Sequence, residues 1–353
     1  MPEAHPEISP TARPLSKRAL VVQTGFVGDV VLATTLFAPL HAAGYEVNAQ
    51  IRPSALALVR HHPLLAGVLT DDKRASRKGP RGLLETALEL RRQNFAFAIS
   101  PHRSHRTSMM LRLAGIPRRV GFESSPLSFL FTDTVTVADG DHQIERNLKL
   151  LRPLGIEPGP AGVGLTMSPA VREAARTMLE ALPRPLIGVA PGSVWATKRW
   201  LPEKFAAAMR LIAADRDRPG FVLLGDRAER EIAGAVAADY AGPLLNLSGE
   251  TPLELLCAII ERLDLLICND SAPIHIAGAY RVPTVAIFLA THPRFGFGPF
   301  AQPYRIAEVE LACRPCSPHG ARQCPLGHFN CAHLIDPATV AAYARELLGH
   351  KDR

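Results

Sequence analysis

Three loops of this 353-residue chain combine glycine, acidic and basic residues in patterns suited to proton transfer and anion binding. The first, Thr24-Gly25-Phe26-Val27-Gly28-Asp29, follows an apolar run and opens a helical stretch. Gly25 and Gly28 permit a tight turn and close backbone approach by a ligand. The spacing departs from the G-x-G-x-x-G dinucleotide fingerprint, which argues against a dehydrogenase. At a helix start, the helix dipole favours the ionised form of Asp29. An ionised carboxylate at the mouth of such a loop is placed to take a proton from a hydroxyl. The position equally suits a plain helix cap.

The second loop runs from Ala190-Pro191-Gly192-Ser193 through Val194-Trp195-Ala196-Thr197-Lys198-Arg199-Trp200, with Pro202 starting a helix. A glycine-bearing loop between a strand and a helix N-terminus suits a phosphate. Lys198 offers charge for a diphosphate, and Ser193 and Thr197 offer hydroxyl donors. A surface loop with a chance Lys-Arg pair is the alternative, and the only two tryptophans of the chain flanking that pair weigh against it. In the third loop, Leu265-Leu266-Ile267-Cys268 leads into Asn269-Asp270-Ser271-Ala272-Pro273-Ile274-His275. Pro273 suits a first helical turn, Asp270 or Ser271 can cap it, and the N–H groups there form a second anion cradle. His275, one turn in, either faces the same cleft or is a core histidine.

These loops need rigid elements to hold them. Apolar runs at 19–23, 45–51, 97–100 and 134–137 read as strands, alternating with helical stretches at 29–43, 83–92, 107–114 and 142–154. Residues 155–164, with four glycines and two prolines, read as a linker. Beyond it strands are expected at 186–190, 221–224, 244–246, 265–268 and 284–288, with helices at 169–182, 202–214, 228–240, 252–261 and 271–279. Such alternation predicts an α/β fold of two Rossmann-like units with parallel sheets, facing each other across a cleft.

Charge is uneven. Residues 1–165 carry 20 Lys+Arg against 14 Asp+Glu (+6), and residues 166–353 carry 20 against 19 (+1). A basic first half suits an anionic partner, although solubility alone also accounts for it. Aromatic residues make up 6% of the chain and do not interleave with basic ones, so nucleic acid is not expected as a partner. No signal peptide or run of about 18 apolar residues is visible, so a cytoplasmic protein is expected. Cys257 and Cys268 read as small buried hydrophobes. Cys313-x2-Cys316-x7-Cys324-x6-Cys331 suggests a structural tetrathiolate metal site, with inert thiols or a disulfide as the alternatives.

Taken together, Ala190–Trp200 with its Lys-Arg-Trp, Asn269–His275 and Cys324-Pro325-Leu326-Gly327-His328 resemble the ADP-heptose:lipopolysaccharide heptosyltransferases, glycosyltransferase family 9. The Gly28-Asp29 loop, Arg103-Ser104-His105-Arg106 and Arg119-Val120-Gly121-Phe122 also fit, and the resemblance runs from about Arg18 to the C-terminus. It implies a GT-B fold: a flexible tail at 1–17, an acceptor domain at 18–165 and a nucleotide-sugar donor domain at 166–335. A last helix at 336–353 is expected to begin at Pro337, capped by Asp336, and to pack back on the first domain.

The resemblance makes Asp29 the catalytic base of an inverting transfer that requires no cofactor. It brings Lys198 to the donor diphosphate, with Ser193, Thr197, Asp270, Ser271, Ala272, Pro273 and His275 in the donor site. The implied acceptor is the anionic lipopolysaccharide core, with Gly28, Arg103, Arg106 and Arg146 as expected contacts. The basic run 71–81 is read as a loop that touches the inner-membrane surface or is merely solvated. A branch of the family that modifies autotransporter proteins binds iron through four cysteines, so Zn or Fe is the metal to expect at the cysteine cluster. Rival readings are a relative with another donor sugar or a protein acceptor, and a non-catalytic binding protein that keeps the fold.

Overall fold

In a computed structural model, describing residues 16–73, 75–214, 218–300 and 302–349, the alternating pattern forms two parallel six-stranded sheets. The first contains β1 (Arg18–Gln23), β2 (Glu46–Ile51), β3 (Leu65–Thr70), β4 (Phe97–Ser100), β5 (Arg118–Phe122) and β6 (Asp133–Val135), in the order β3-β2-β1-β4-β5-β6. The second contains β7 (Leu186–Ala190), β8 (Gly220–Leu223), β9 (Leu244–Asn246), β10 (Leu265–Asn269), β11 (Thr284–Ile287) and β12 (Tyr304–Ala307), in the order β12-β11-β10-β7-β8-β9. Counted from the first strand of each unit, the two orders are the same Rossmann order. Each has a topological switch point, at β1/β4 and at β7/β10, where ligands bind beyond the strand ends. Most of the expected tail, residues 1–15, and the chain end at 350–353 lie outside the described residues.

Nine strands were legible as apolar runs; β3, β5 and β12 were not. Strand β5 opens on Arg118-Arg119, whose charges mask it, while β3 and β12 are half-buried edge strands without an alternating pattern. The central strands β7 and β10 are buried along their whole length, as a sheet covered on both faces requires.

The units meet through two short helices, Val27–Ala33 and Ala272–Tyr280, that follow β1 and β10. Gly28 lets them touch: a Cβ there would lie 2.7 Å from Cδ2 of His275. Around this contact the Gln143 N–H donates to the Gly296 carbonyl at 2.8 Å, and His142 Nε2 lies 3.0 Å from the Gly298 carbonyl oxygen. Arg60 pairs with Glu254 at 3.6 Å. The 155–164 segment runs along the first unit, where the Gly164 N–H reaches Thr34 Oγ1 at 3.1 Å.

The last helix, Pro337–Gly349, starts where expected, and Asp336 Oδ1 accepts from the Ala338 N–H at 2.9 Å. Its packing differs from the expectation. It lies on the helix Pro202–Ala213 and on β10 to β12 of the second unit, not on the first. The cause is its apolar stripe: Val340, Ala341, Ala344 and Leu347 share one core with Phe205, Met209 and Ile212. Arg305–Glu346 adds an ion pair at the rim. No helix among the described residues is long and apolar enough to cross a membrane.

Candidate functional site

On the first unit, β1 delivers the Gly25–Gly28 turn and Asp29 enters the third helical position. There its Oδ2 accepts from the Phe26 N–H at 3.0 Å. The sequence reading had the helix dipole keeping this group ionised. Burial pushes the Asp29 carboxyl up within the carboxylate's range of behaviour as a base, against the Phe26 N–H and the charge of His319, which pull it down. A carboxylate with raised proton affinity is the stronger base.

Beside the Gly25–Phe26 turn that precedes Asp29 lies a cavity of about 300 Å³ that no single motif marks. Its lining includes Thr24, Arg52, Ser54, Asp72, Lys73 and His102. Lys73 Nζ donates to Thr24 Oγ1 at 3.2 Å, and His102 Nδ1 lies 3.2 Å from the same oxygen. Burial, followed by the charge of Lys73, brings His102 down to about 4, so it is neutral at physiological pH. Asp71, Asp72 and Lys73 of the 71–81 run thus line this cavity, and its end opens the helix Gly79–Arg92. Only side-chain packing from four strand ends brings these residues together, which is why no local signal marks them.

The four expected acceptor contacts separate. Gly28 serves the seam with His275. Arg106 is committed to Asp71, which is 2% exposed, through Nε and Nη2 at 3.0 Å each, and also donates to the carbonyls of Gly79 and Arg77. It holds the loop after β3. Arg146 lies near enough to Arg103 that its charge, after burial, lowers the proton affinity of Arg103. The Arg103 guanidinium lies over the Phe122 ring at 4.8 Å. Arg146 sits against Gly296, its Nε buried without a partner among the described residues. Asp141 is within electrostatic reach of Arg146 but is held by Lys149 at 2.5 Å.

On the second unit, the loops after β7 and β10 interlock. Asn269 Nδ2 donates to the Pro191 carbonyl at 2.7 Å, and its Oδ1 accepts from the Trp200 N–H at 3.0 Å. Trp200 is fully buried, with its indole N–H on the Ala332 carbonyl at 3.1 Å. Arg199 Nε holds the Ser193 carbonyl at 2.7 Å. Ser193 and Thr197 are both buried in this loop. Lys198 Nζ pairs with Asp270 Oδ2 at 2.7 Å, and Thr291 Oγ1 donates to the same oxygen at 2.6 Å. Asp270 therefore orients the lysine and does not cap the helix. Ser271 donates its hydroxyl to the Asn269 carbonyl, so neither side chain caps Ala272–Tyr280. The Ala272 N–H at this helix start thus keeps its anion-binding character. His275 is buried, and burial together with the charge of His142 brings it down to about 4. The sequence reading missed Glu229, whose carboxyl packs on Gly192 of the same loop and is pushed up by burial.

The cysteine-rich segment folds back onto this loop. Ala321 donates its N–H to Thr197 Oγ1 at 2.7 Å, and its carbonyl accepts from the Thr197 N–H at 3.1 Å. All six cysteines are free thiols. Cys313, Cys316 and Cys324 line a hollow of about 270 Å³, and Cys331 is close enough to feel their charge. The Cys316 thiol donates to the Cys313 carbonyl at 3.3 Å, as a protonated thiol does. Among the described residues no three His, Cys, Asp or Glu side chains are placed to hold one metal ion.

The chain is similar to known proteins. The family model described as glycosyltransferase family 9 (heptosyltransferase) matches residues 84–329. Lipooligosaccharide heptosyltransferase 2 of Campylobacter jejuni is 30% identical over 168 residues, which is 46% of this chain and 51% of that protein, so the chain spans about half the length of that relative. Lipopolysaccharide heptosyltransferase 2 of Escherichia coli is 25% identical over 302 residues, covering 79% of this chain and 84% of that one. Among solved structures, the family 9 glycosyl transferase from Veillonella parvula superposes with a TM-score of 0.84 at 23% identity, covering 96% of this chain and all of that one. The E. coli ADP-heptose lps heptosyltransferase II gives 0.76 at 21% identity, covering 95% and 100%. The fold is thus GT-B, and the chain belongs to glycosyltransferase family 9, the heptosyltransferases.

Proposed function

We propose that this chain is an inverting glycosyltransferase that moves a heptose from ADP-heptose to an anionic lipopolysaccharide inner core, with Asp29 as the general base. One observation carries the reading. The Gly28–His275 contact joins the helix bearing Asp29 to the helix whose N-terminus adjoins the Lys198–Asp270 pair, so a carboxylate base and a cation share one cleft. The printed names of the relatives, lipooligosaccharide and lipopolysaccharide heptosyltransferases, support the acceptor class, and the E. coli structure supports ADP-heptose as donor.

In the proposed reaction, Asp29 takes the proton of an acceptor hydroxyl as that oxygen bonds to the anomeric carbon. The bond from that carbon to the diphosphate oxygen breaks on the opposite face, and ADP leaves with the electron pair. Lys198 and the Ala272 N–H meet the growing negative charge, an interaction strongest in the transition state. Arg103 and Arg146 receive carboxylate or phosphate groups of the acceptor, and the cavity between Arg52 and Lys73 receives the sugar that carries the attacking hydroxyl. The basic first half suits work at an anionic membrane surface, on the cytoplasmic side where the nucleotide sugar is found.

The test is ADP release from ADP-heptose with deacylated core oligosaccharide as acceptor. Release that needs both substrates is expected. Donor binding without release to any core acceptor contradicts the reading and favours a binding protein.

A further inference from the structure

The helices Gly79–Arg92 and His105–Leu113 lie side by side on one face of the first sheet. Their inner sides, with Leu83, Ala87, Leu90, Met110 and Leu111, share a core with Leu20, Val22 and Ala98 of β1 and β4. An outer side that meets only water is expected to be polar throughout. Here it is not. Leu84 and Leu88 stand one turn apart on the first helix, Met109 and Leu113 one turn apart on the second, and all four are exposed. Beside the second helix lies the short turn Ser128–Leu130, next to the point where Ser108 Oγ donates to the Pro126 carbonyl at 2.9 Å. That turn carries Phe129, which is 79% exposed. Single exposed apolar side chains are ordinary, but large ones on two adjoining helices and the turn beside them form a surface.

We propose that this face docks on an anionic lipid bilayer and sets the cavity of the first unit beside the membrane surface. Charge names the occupant. Basic residues bracket the apolar stripe: exposed Lys78 and Arg81 where the first helix begins, and exposed Arg91, Arg92 and Arg112 where the two helices end. The two carboxylates of the first helix, Glu85 and Glu89, are taken by Arg81 and Arg77, and the second helix has none. Arg91, Arg92 and Arg112 form no ion pair with a described residue. An apolar stripe rimmed by unpaired arginines suits the headgroup region, with the apolar side chains among acyl chains and the guanidiniums on phosphates. Lys78 and Arg81 sit at the positive end of a helix dipole with no acidic residue in the first turn, and an external anion offsets that cost. The face is also continuous with the cavity. Asp71 lines the cavity, pairs with Arg106 in the first turn of the second helix, and accepts from Thr86 Oγ1 of the first at 3.4 Å. Both helices therefore begin beside the cavity, and a headgroup rising from the bilayer reaches it while the enzyme stays on the surface. The inference deepens the reading of a lipopolysaccharide core as acceptor and rests on that reading for the purpose of docking.

The experiment is co-sedimentation of the full-length chain with phosphatidylglycerol vesicles and with phosphatidylcholine vesicles. It compares the wild type with Leu84→Gln/Leu88→Gln and with Arg91→Gln/Arg92→Gln/Arg112→Gln. The wild type is expected to bind the anionic vesicles, to ignore the zwitterionic ones and to be released as salt screens the charge. Loss of the arginines lowers the partition coefficient by roughly a hundredfold, and loss of the leucines by roughly tenfold. Every changed position is exposed, so the unfolding midpoint stays in place. Unchanged vesicle binding in both variants, or none by the wild type, overturns the proposal. So does a wild type that self-associates in sedimentation velocity and becomes monomeric in Leu84→Gln/Leu88→Gln with vesicle binding unaltered, because the face then belongs to a second copy of the chain. Transfer to deacylated core oligosaccharide needs no bilayer and keeps the wild-type rate in both variants. Absence of that transfer in the wild type is a failure of the proposed reaction, and vesicle binding is read without it, so the two failures are separable.

Discussion

Both sheets run their central strand into a glycine-bearing loop that feeds a helix or a short helical turn, yet the two units treat their charges in opposite ways. In the second, Lys198 is closed onto Asp270 at 2.7 Å, with Thr291 on the same carboxylate. In the first, Arg103 and Arg146 stand together without an ion pair or hydrogen bond to a described residue. Satisfying a cation before the ligand arrives gives a preorganised wall, suited to one ligand of fixed geometry. Leaving two guanidiniums close together creates a field that recruits anions and costs stability until one binds. By this difference the second unit suits a defined diphosphate and the first a variable anionic acceptor.

Breaking a structural charge pair should have the largest effect. Arg106→Ala leaves the buried Asp71 carboxylate unpaired, and a loss of about 3 kcal/mol in unfolding free energy is expected by denaturant titration. An unchanged midpoint would return Arg106 to the acceptor contacts. Next is Lys198→Ala, which on the proposed reading removes a charged donor from the diphosphate. ADP affinity should fall by about 2 kcal/mol, roughly thirtyfold, with acceptor KM unaffected. Unchanged ADP affinity removes Lys198 from the donor wall. The smallest effects belong to Arg103→Ala and Arg146→Ala, each raising acceptor KM by roughly tenfold while sparing ADP affinity. Equal losses in both affinities would erase the division between the walls.

The sequence reveals this arrangement unevenly, for physical reasons. Lys198, Asp270 and Asp29 were legible because a strand–loop–helix junction is local and its chemistry lies within a few residues. Their partnerships were less so. Arg106 meets Asp71 across 35 residues, and Thr197 meets Ala321 across 124, so neither contact leaves a periodic trace. The last helix shows the same limit: its apolar stripe announces a helix but does not say which unit will cover it. The fold-back of the cysteine-rich segment and the cavity beside the Gly25–Phe26 turn are likewise products of packing alone. The helix-start position of Asp29 is legible in the motif, whereas the burial that raises its proton affinity is a property of the fold.

The most direct measurement is turnover of Asp29→Asn at saturating ADP-heptose and acceptor. Asparagine keeps the size of the side chain and removes its ability to take a proton. Loss of a general base predicts a fall in kcat of about 10³-fold with donor affinity intact. Turnover close to wild type would contradict Asp29 as the base and, with it, the placement of chemistry at the seam between the two units.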